Sequence, residues 1–321
     1  MIAYVVRRVA YGMLIVLGVL LFLYLLFFVL TNPDDIARKA IGEKALPQVI
    51  HQWKVNHGYD KPRFPSPGHL RDNMLVEHFR RMLTFDFGRS DADDVLISRR
   101  LRDGVGPSLS LTVPLFIMGV GISILLSLLV AFFRGTYIDE AAVFLSVLAM
   151  SVSILLYIIG GQFLIGKLLK WFPISGFDRS PAVAWHFLSL PVIIGVMSIL
   201  GSDIRFYRTV FIEEIYRDYV RTARAKGAGE MRVMLRHVLR NALIPILTTV
   251  VMEIPFLFTG SLLLEAFFGI PGLGSMTFDA IQGNDFSTLR TMVFIGSLFF
   301  ILGQILTDIS YTLVDPRIRL E

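Results

Sequence analysis

Six apolar runs punctuate the chain: Val9–Leu30, Leu109–Phe133, Ala142–Leu169, Phe187–Leu200, Ile246–Leu264 and Thr291–Leu313. The first, 22 residues long, can cross roughly 30 Å of hydrocarbon as a helix. The fourth, at about 14 residues, is short for a crossing and needs flanking residues, starting near Ala182. The pattern therefore predicts an all-α polytopic membrane protein with about six transmembrane helices and both termini on one side.

Arg7 and Arg8 precede the first run, and "FFVLTNPDD" after it offers no small-residue cleavage site. This reads as an uncleaved first helix with its N-terminus in the cytoplasm. The short connections agree. Gly201–Leu243, on the same side, carries nine Lys/Arg, whereas Lys170–His186 and Glu265–Arg290 carry two and one.

The chain divides into an N-terminal transmembrane helix (1–30), an extracytoplasmic segment (31–107) and a core (108–321). Between Thr31 and Val105 the sequence is polar, with thirteen Lys/Arg against eleven Asp/Glu. Trp53, Tyr59, Phe64, Phe79, Phe85 and Phe87 within it predict a small packed cap of short helices. Pro62, Pro65 and Pro67 predict a rigid loop. His51, His57, His69 and His78 fit no compact metal spacing and read as ordinary histidines.

One connection is unlike the rest. From Glu213 the chain reads "EEIYRDYVRTARAKGAGEMRVMLRHVLRNALIP" to Pro245. Ile212, Ile215, Tyr216, Tyr219, Val220 and Ala223 share one helical face, and Gly227 and Gly229 interrupt it. Met231, Met234, Leu235, Val238 and Ala242 form a second stripe, bordered by Arg232, Arg236 and Arg240. Two amphipathic helices joined by a glycine turn could lie on anionic lipid. The sharper alternative is that they dock in a groove of a soluble partner.

Composition narrows the class. Of the 321 residues, 54% are hydrophobic and 18% charged, against about 25% charged in soluble domains. The absence of Cys excludes disulfides, thiolate catalysis and Cys-ligated metals. No phosphate-binding G-x-x-x-x-G-K-[ST] loop occurs, since "GKLLK" at Gly166 lacks the leading glycine and the hydroxyl. The arginines lie between two spans with no interleaved stacking aromatics, so they are no nucleic-acid footprint. No catalytic constellation is visible, and no metal site is expected.

"YVRTARAKGAGEMRVMLRHVLRNALIP" resembles the cytoplasmic signature of binding-protein-dependent ABC importer permeases, most closely the peptide/nickel branch. "FDFGRS" (85–90), "WFPISG" (171–176), "FGIPGLG" (268–274) and "DISYTLVDPRIRLE" (308–321) resemble other parts of the first-permease type. The Glu-Ala-Ala opening of the general signature is Arg221-Thr222-Ala223 here, which removes any role needing an acid there. The resemblance implies a type I ABC importer permease fold with an extracytoplasmic insertion after helix 1, in a bacterial inner membrane. It implies a coupling loop (201–245) in which Tyr219, Arg221, Thr222, Ala223, Arg224, Ala225, Lys226, Gly227 and Ala228 contact an ATPase. The implied partners are a second permease, two ATP-binding subunits and an extracytoplasmic substrate-binding protein. ATP and its magnesium would be held by the ATPases, and this chain would need no cofactor. "FTGSLLLE" and the tail lean towards peptide uptake, with nickel as the alternative cargo.

Glu253 falls inside the fifth run, where a carboxylate costs roughly 2.5–3.5 kcal/mol on insertion scales. It is expected to face the bundle or a wet cavity, as a translocation-pathway group or an interhelical hydrogen-bonding partner. Asp308 is expected to cap or to pair with a cytoplasmic arginine, and Gln162 and Gln304 to bond between helices. Two rival classes remain: an ion-driven secondary transporter with Glu253 as proton carrier, and a membrane receptor sensing through residues 31–107.

Overall fold

A computed structural model describes residues 2–65 and 72–314. His69, Pro67 and the tail from Asp315 lie outside the described residues. Among the described residues the backbone is helical, and its β pairing is a single bridge between Arg89 and Leu96.

Among the described residues five helices are long and apolar enough to cross a membrane: Val6–Leu30, Ile97–Phe132, Val183–Ile215, Glu230–Thr259 and Phe286–Asp308. A bent pair, Tyr137–Ser151 and Ile154–Leu168, completes the six. These are called spans one to six in chain order, the pair being span three. Leu14, Phe22, Leu125 and Leu156 are each more than 60% exposed. Such outward apolar faces suit lipid or a companion subunit, and would not be tolerated in water.

Three spans differ from the sequence expectation. Span three is not one rod: its halves meet at 92°. Ser153 causes this locally, because its side chain accepts the Leu155 N–H and restarts the helix as a cap. The Tyr157 hydroxyl then bridges the bend to the Ala149 carbonyl at 3.0 Å. Span four is not short. Its helix runs 35 residues from Pro181 to Ile215, since the stretch past Leu200 continues it although Ser202, Asp203, Arg205 and Arg208 are polar. Nor is the docking region two free amphipathic helices. The first breaks at Tyr216, and the second is the unbroken start of span five.

The described residues between spans one and two, called the cap, are built of short helices. Asn32 and Asn73 each cap a helix, accepting from Asp34 N and Val76 N. The helices Pro33–Ile41, Pro47–His57 and Met74–Leu83 follow. Trp53, Tyr59 and Phe87 are buried, together with Phe27 and Phe28 of span one and Phe294 of span six. Phe64 and Phe85, which the sequence also assigned to the packed cap, are more than half exposed. A second core binds spans two, four and five at the opposite end of the bundle through Phe211, Ile215, Val233 and Val238. A third joins spans two, three and four to the helix Leu262–Phe268.

Two ion pairs fasten the bundle. Arg208 of span four grips Asp139 at the start of span three by two bonds of 2.6 and 2.8 Å. Arg8 of span one meets Asp308 of span six at 3.0 Å, as expected for Asp308. Gln162 reaches the carbonyls of Ile174 and Phe267, 3.0 Å each, so it ties a loop and a short helix to span three.

Candidate functional site

The predicted coupling residues gather at the end of the bundle opposite the cap. A short helix, Asp218–Ala225, lies across spans four and five. Val220 and Ala223 are its buried face, packed among Tyr207, Phe211, Val233 and Met234. Tyr219, Arg221, Thr222, Ala225, Lys226 and Gly227 are exposed, and Arg224 and Ala228 are half-buried. Ala223 therefore anchors the helix, and the other predicted residues make its outer surface and the turn.

The turn itself is pinned from both sides. Gly227 N–H donates to Arg224 O at 2.9 Å and Ala228 N–H to Ala223 O at 3.2 Å. Arg224 spans the turn to Glu230 at 2.7 Å. Gly227 has φ +81°, a left-handed conformation that favours glycine. A Cβ there would meet nothing within 4 Å, so the glycine serves backbone geometry and an open outer face. The Tyr219 hydroxyl is bonded to the Glu214 carboxylate. Burial, with that carboxylate second, pushes the phenol up to about 12.

Glu253 ends the α-helical part of span five, where Pro255 opens a tighter 3₁₀ turn. It lines a cavity of about 420 Å³ between spans two, four and five, with Thr112, Ser198, Ser202 and Asp203. Ser123 Oγ donates to Asp203 Oδ2 at 3.1 Å. Asp203 is thus a second carboxylate in the cavity that the sequence pattern placed in a loop. The continuation of the helix past Leu200 is the signal that would have found it.

Next to the cavity-lining Leu264 sits a further carboxylate, and this one is buried. Glu265 is wholly inaccessible and accepts from Ser108 Oγ (2.8 Å), Ser261 N (3.0 Å), Gly274 N (2.7 Å) and Ser275 N (3.1 Å). It closes the N-terminus of the helix Leu273–Gln282, where exposed N–H groups favour an anion. A Cβ at Gly260 or Gly272 would overlap its oxygens. The "GIPGLG" stretch, through Gly272 and Gly274, is therefore the mould for a carboxylate that lies four residues before its first glycine.

A multi-span helical bundle, two carboxylates facing an intramembrane cavity and an outward helix–glycine turn define a membrane permease component. The chain belongs to the family described as binding-protein-dependent transport system inner membrane component, matched over residues 123–320. Its N-terminal companion matches residues 1–77. A putative peptide transport system permease protein of Brucella abortus is 31% identical over the whole of both chains. A probable peptide ABC transporter permease of Sinorhizobium fredii is 29% identical over 98% of this chain and 99% of its own. A glutathione transport system permease protein of Salmonella choleraesuis is 31% identical over 99% of each. The chain is accordingly a multi-pass inner-membrane permease of the ABC importer class and not an enzyme. Its class works with ATPase subunits and a substrate-binding protein.

Proposed function

We propose that this chain is one half of a peptide pathway through a bacterial inner membrane. A second permease completes the pore, and two ATPases carry ATP and magnesium. An extracytoplasmic binding protein delivers cargo onto the cap, residues 31–107. Both termini and the 216–229 turn face the cytoplasm. The exposed side of Tyr219–Ala228 docks in an ATPase groove, and the cavity of Glu253 and Asp203 lies on the route. The observation that carries this reading is the continuity of the docking turn with span five, whose helix starts at Glu230 directly after the turn and runs past Glu253. The names of the relatives, peptide and glutathione permeases, favour peptides over nickel as cargo.

Mechanism follows from that continuity. Closure of the ATPases on ATP draws the docked turns together. Span five moves as a rod and carries Glu253 with it, changing the side to which the cavity opens. The carboxylates present hydrogen-bond acceptors and negative charge to a peptide ammonium, which is shed as the cavity reopens inward.

Gentle extraction of the tagged chain from its native locus, with identification of what accompanies it, tests the assembly. A second permease and ATPases are the expected companions. A chain that purifies alone and still moves substrate in vesicles without ATP would overturn the reading.

A further inference from the structure

The foot of span five carries a second exposed surface, beyond the docking turn. Arg232, Arg236 and Arg240 follow one another four residues apart, and all three are exposed. Their face continues up the span as Ile244 and Leu247, 43% and 48% exposed, and Leu235 beside Arg236 is 51% exposed. Ala242, Ile246 and Val250 form the buried side of the same helix. At about 100° per residue Glu253 shares the bearing of Ala242 and Ile246. Arg240, Ile244 and Leu247 are therefore turned away from the cavity.

The charge on this face is uncompensated, in contrast with the docking turn. There Arg217 meets Glu214 at 3.9 Å, Arg221 meets Asp218 at 3.7 Å and Arg224 meets Glu230 at 2.7 Å. Among the described residues no carboxylate lies at ion-pair distance from Arg232, Arg236 or Arg240. Like charges one helical turn apart repel, and an anion from outside the chain relieves that repulsion. Directly above them the same face is aliphatic. Cations bordering an exposed apolar strip match a surface whose anionic rim covers a hydrocarbon interior.

We propose that this face binds an anionic phospholipid of the cytoplasmic leaflet, its headgroup on the arginines and its acyl chains along Ile244 and Leu247. The assignment rests on the proposed orientation, in which the 216–229 turn is cytoplasmic. Each guanidinium offers a fork of donors to phosphate oxygens. Depth along the helix sets their order. Arg240 lies one turn to the cytoplasmic side of Ile244 and Arg236 two turns, about 6 and 12 Å. Arg240 is thus level with a headgroup layer about 5–7 Å thick, and Arg236 reaches it by bending its side chain towards the membrane. Arg232, a further turn away, stands at the outer edge. The lipid braces the foot of span five on the side away from the cavity and leaves the docking turn free for a protein.

The test uses the assembled transporter in nanodiscs of phosphatidylcholine with rising shares of phosphatidylglycerol. Native mass spectrometry counts the phosphatidylglycerol retained on release from the disc, and a photoreactive phosphatidylglycerol maps the headgroup. Crosslinks are expected within residues 232–247. Arg240→Gln and Arg236→Gln should each weaken retention about fivefold, and Arg232→Gln less. Inorganic phosphate at millimolar concentration should not displace the lipid, because it has no chains to lay on the aliphatic strip. Displacement by phosphate would assign a free-phosphate site and overturn the lipid. Unchanged retention and labelling in the Arg236→Gln, Arg240→Gln double variant would also overturn it. So would a double variant that keeps its lipid and loses the ATPases, which would give these arginines to a protein partner. Should the double variant fail to assemble, Arg240→Gln alone and the crosslink map decide. Crosslinks on this face in a chain that purifies without ATPases would uphold the lipid site while the importer assembly failed.

Discussion

Ser108 and Glu265 are 157 positions apart in sequence, and their side chains meet at 2.8 Å in a fully buried site. Ser108 Oγ donates to the carboxylate and also accepts the Leu273 N–H at 2.7 Å. One hydroxyl thus joins span two to the start of the helix Leu273–Gln282. Glu265→Gln puts an amide NH₂ among N–H donors. The expected loss is about 1–3 kcal/mol, with Ser108→Ala nearer 1. Thermal unfolding of the assembled transporter measures both. Equal stability of Glu265→Gln and the parent would remove the cradle from the list of supports.

The cap should weaken with acid in a defined window. His78 has its folded pKa pushed down from 6.5 to about 3 by burial and by Arg290. A histidine held neutral leaves the unfolded chain binding more protons. Its contribution is whole above pH 6.5 and is lost as pH falls towards 3. Glu77, held to about 2 by Arg80 and Arg81, acts in the same direction below pH 4.5. The melting temperature should decline between pH 7 and 5, and His78→Gln should flatten that decline. A parallel decline in the variant would locate the sensitive group elsewhere.

Gly227→Trp should leave insertion and expression unchanged and abolish uptake. No atom lies within 4 Å of the new Cβ, so the cost within the chain is the left-handed conformation alone, about 1 kcal/mol. The loss would come from a groove that no longer admits the turn. Gly227→Asn, small and tolerant of positive φ, should retain most uptake. Transport by the Trp variant at the parental rate would place the ATPase contact elsewhere.

Glu253→Gln and Asp203→Asn should each lower peptide uptake about tenfold while the partners still co-purify. Because the two carboxylates share one cavity, the double variant should lose less than the sum of the two. Additive losses would indicate separate roles. Unchanged uptake at equal protein level would make them structural.

Legibility followed the physics of each segment. The six apolar runs were readable because burial in lipid demands length and composition, and both are printed in the chain. Their ends were not. Span four continues through Asp203 and Arg208 because those side chains find partners in Ser123 and Asp139, a fact of tertiary structure. The bend at Ser153 turns on one cap, and serines within apolar helices are otherwise silent. In the 212–223 stripe the apolar pattern marked Val220 and Ala223, which are buried, whereas Tyr216 and Tyr219 of the same stripe are exposed because the long helix breaks at Tyr216. Glu265 went unremarked because its donors are backbone N–H groups from a glycine-rich loop, which leave no trace in side-chain chemistry.

The unbroken helix from Glu230 to Thr259 has a consequence for timing. From Glu230 to Glu253 it spans about 35 Å at 1.5 Å per residue. With the turn docked as proposed, a displacement imposed at its foot would reach the cavity with no intermediate relay. Engine and gate would then be two ends of a single part, and neither would advance alone, so leakage between strokes would be suppressed by construction and not by a separate lock.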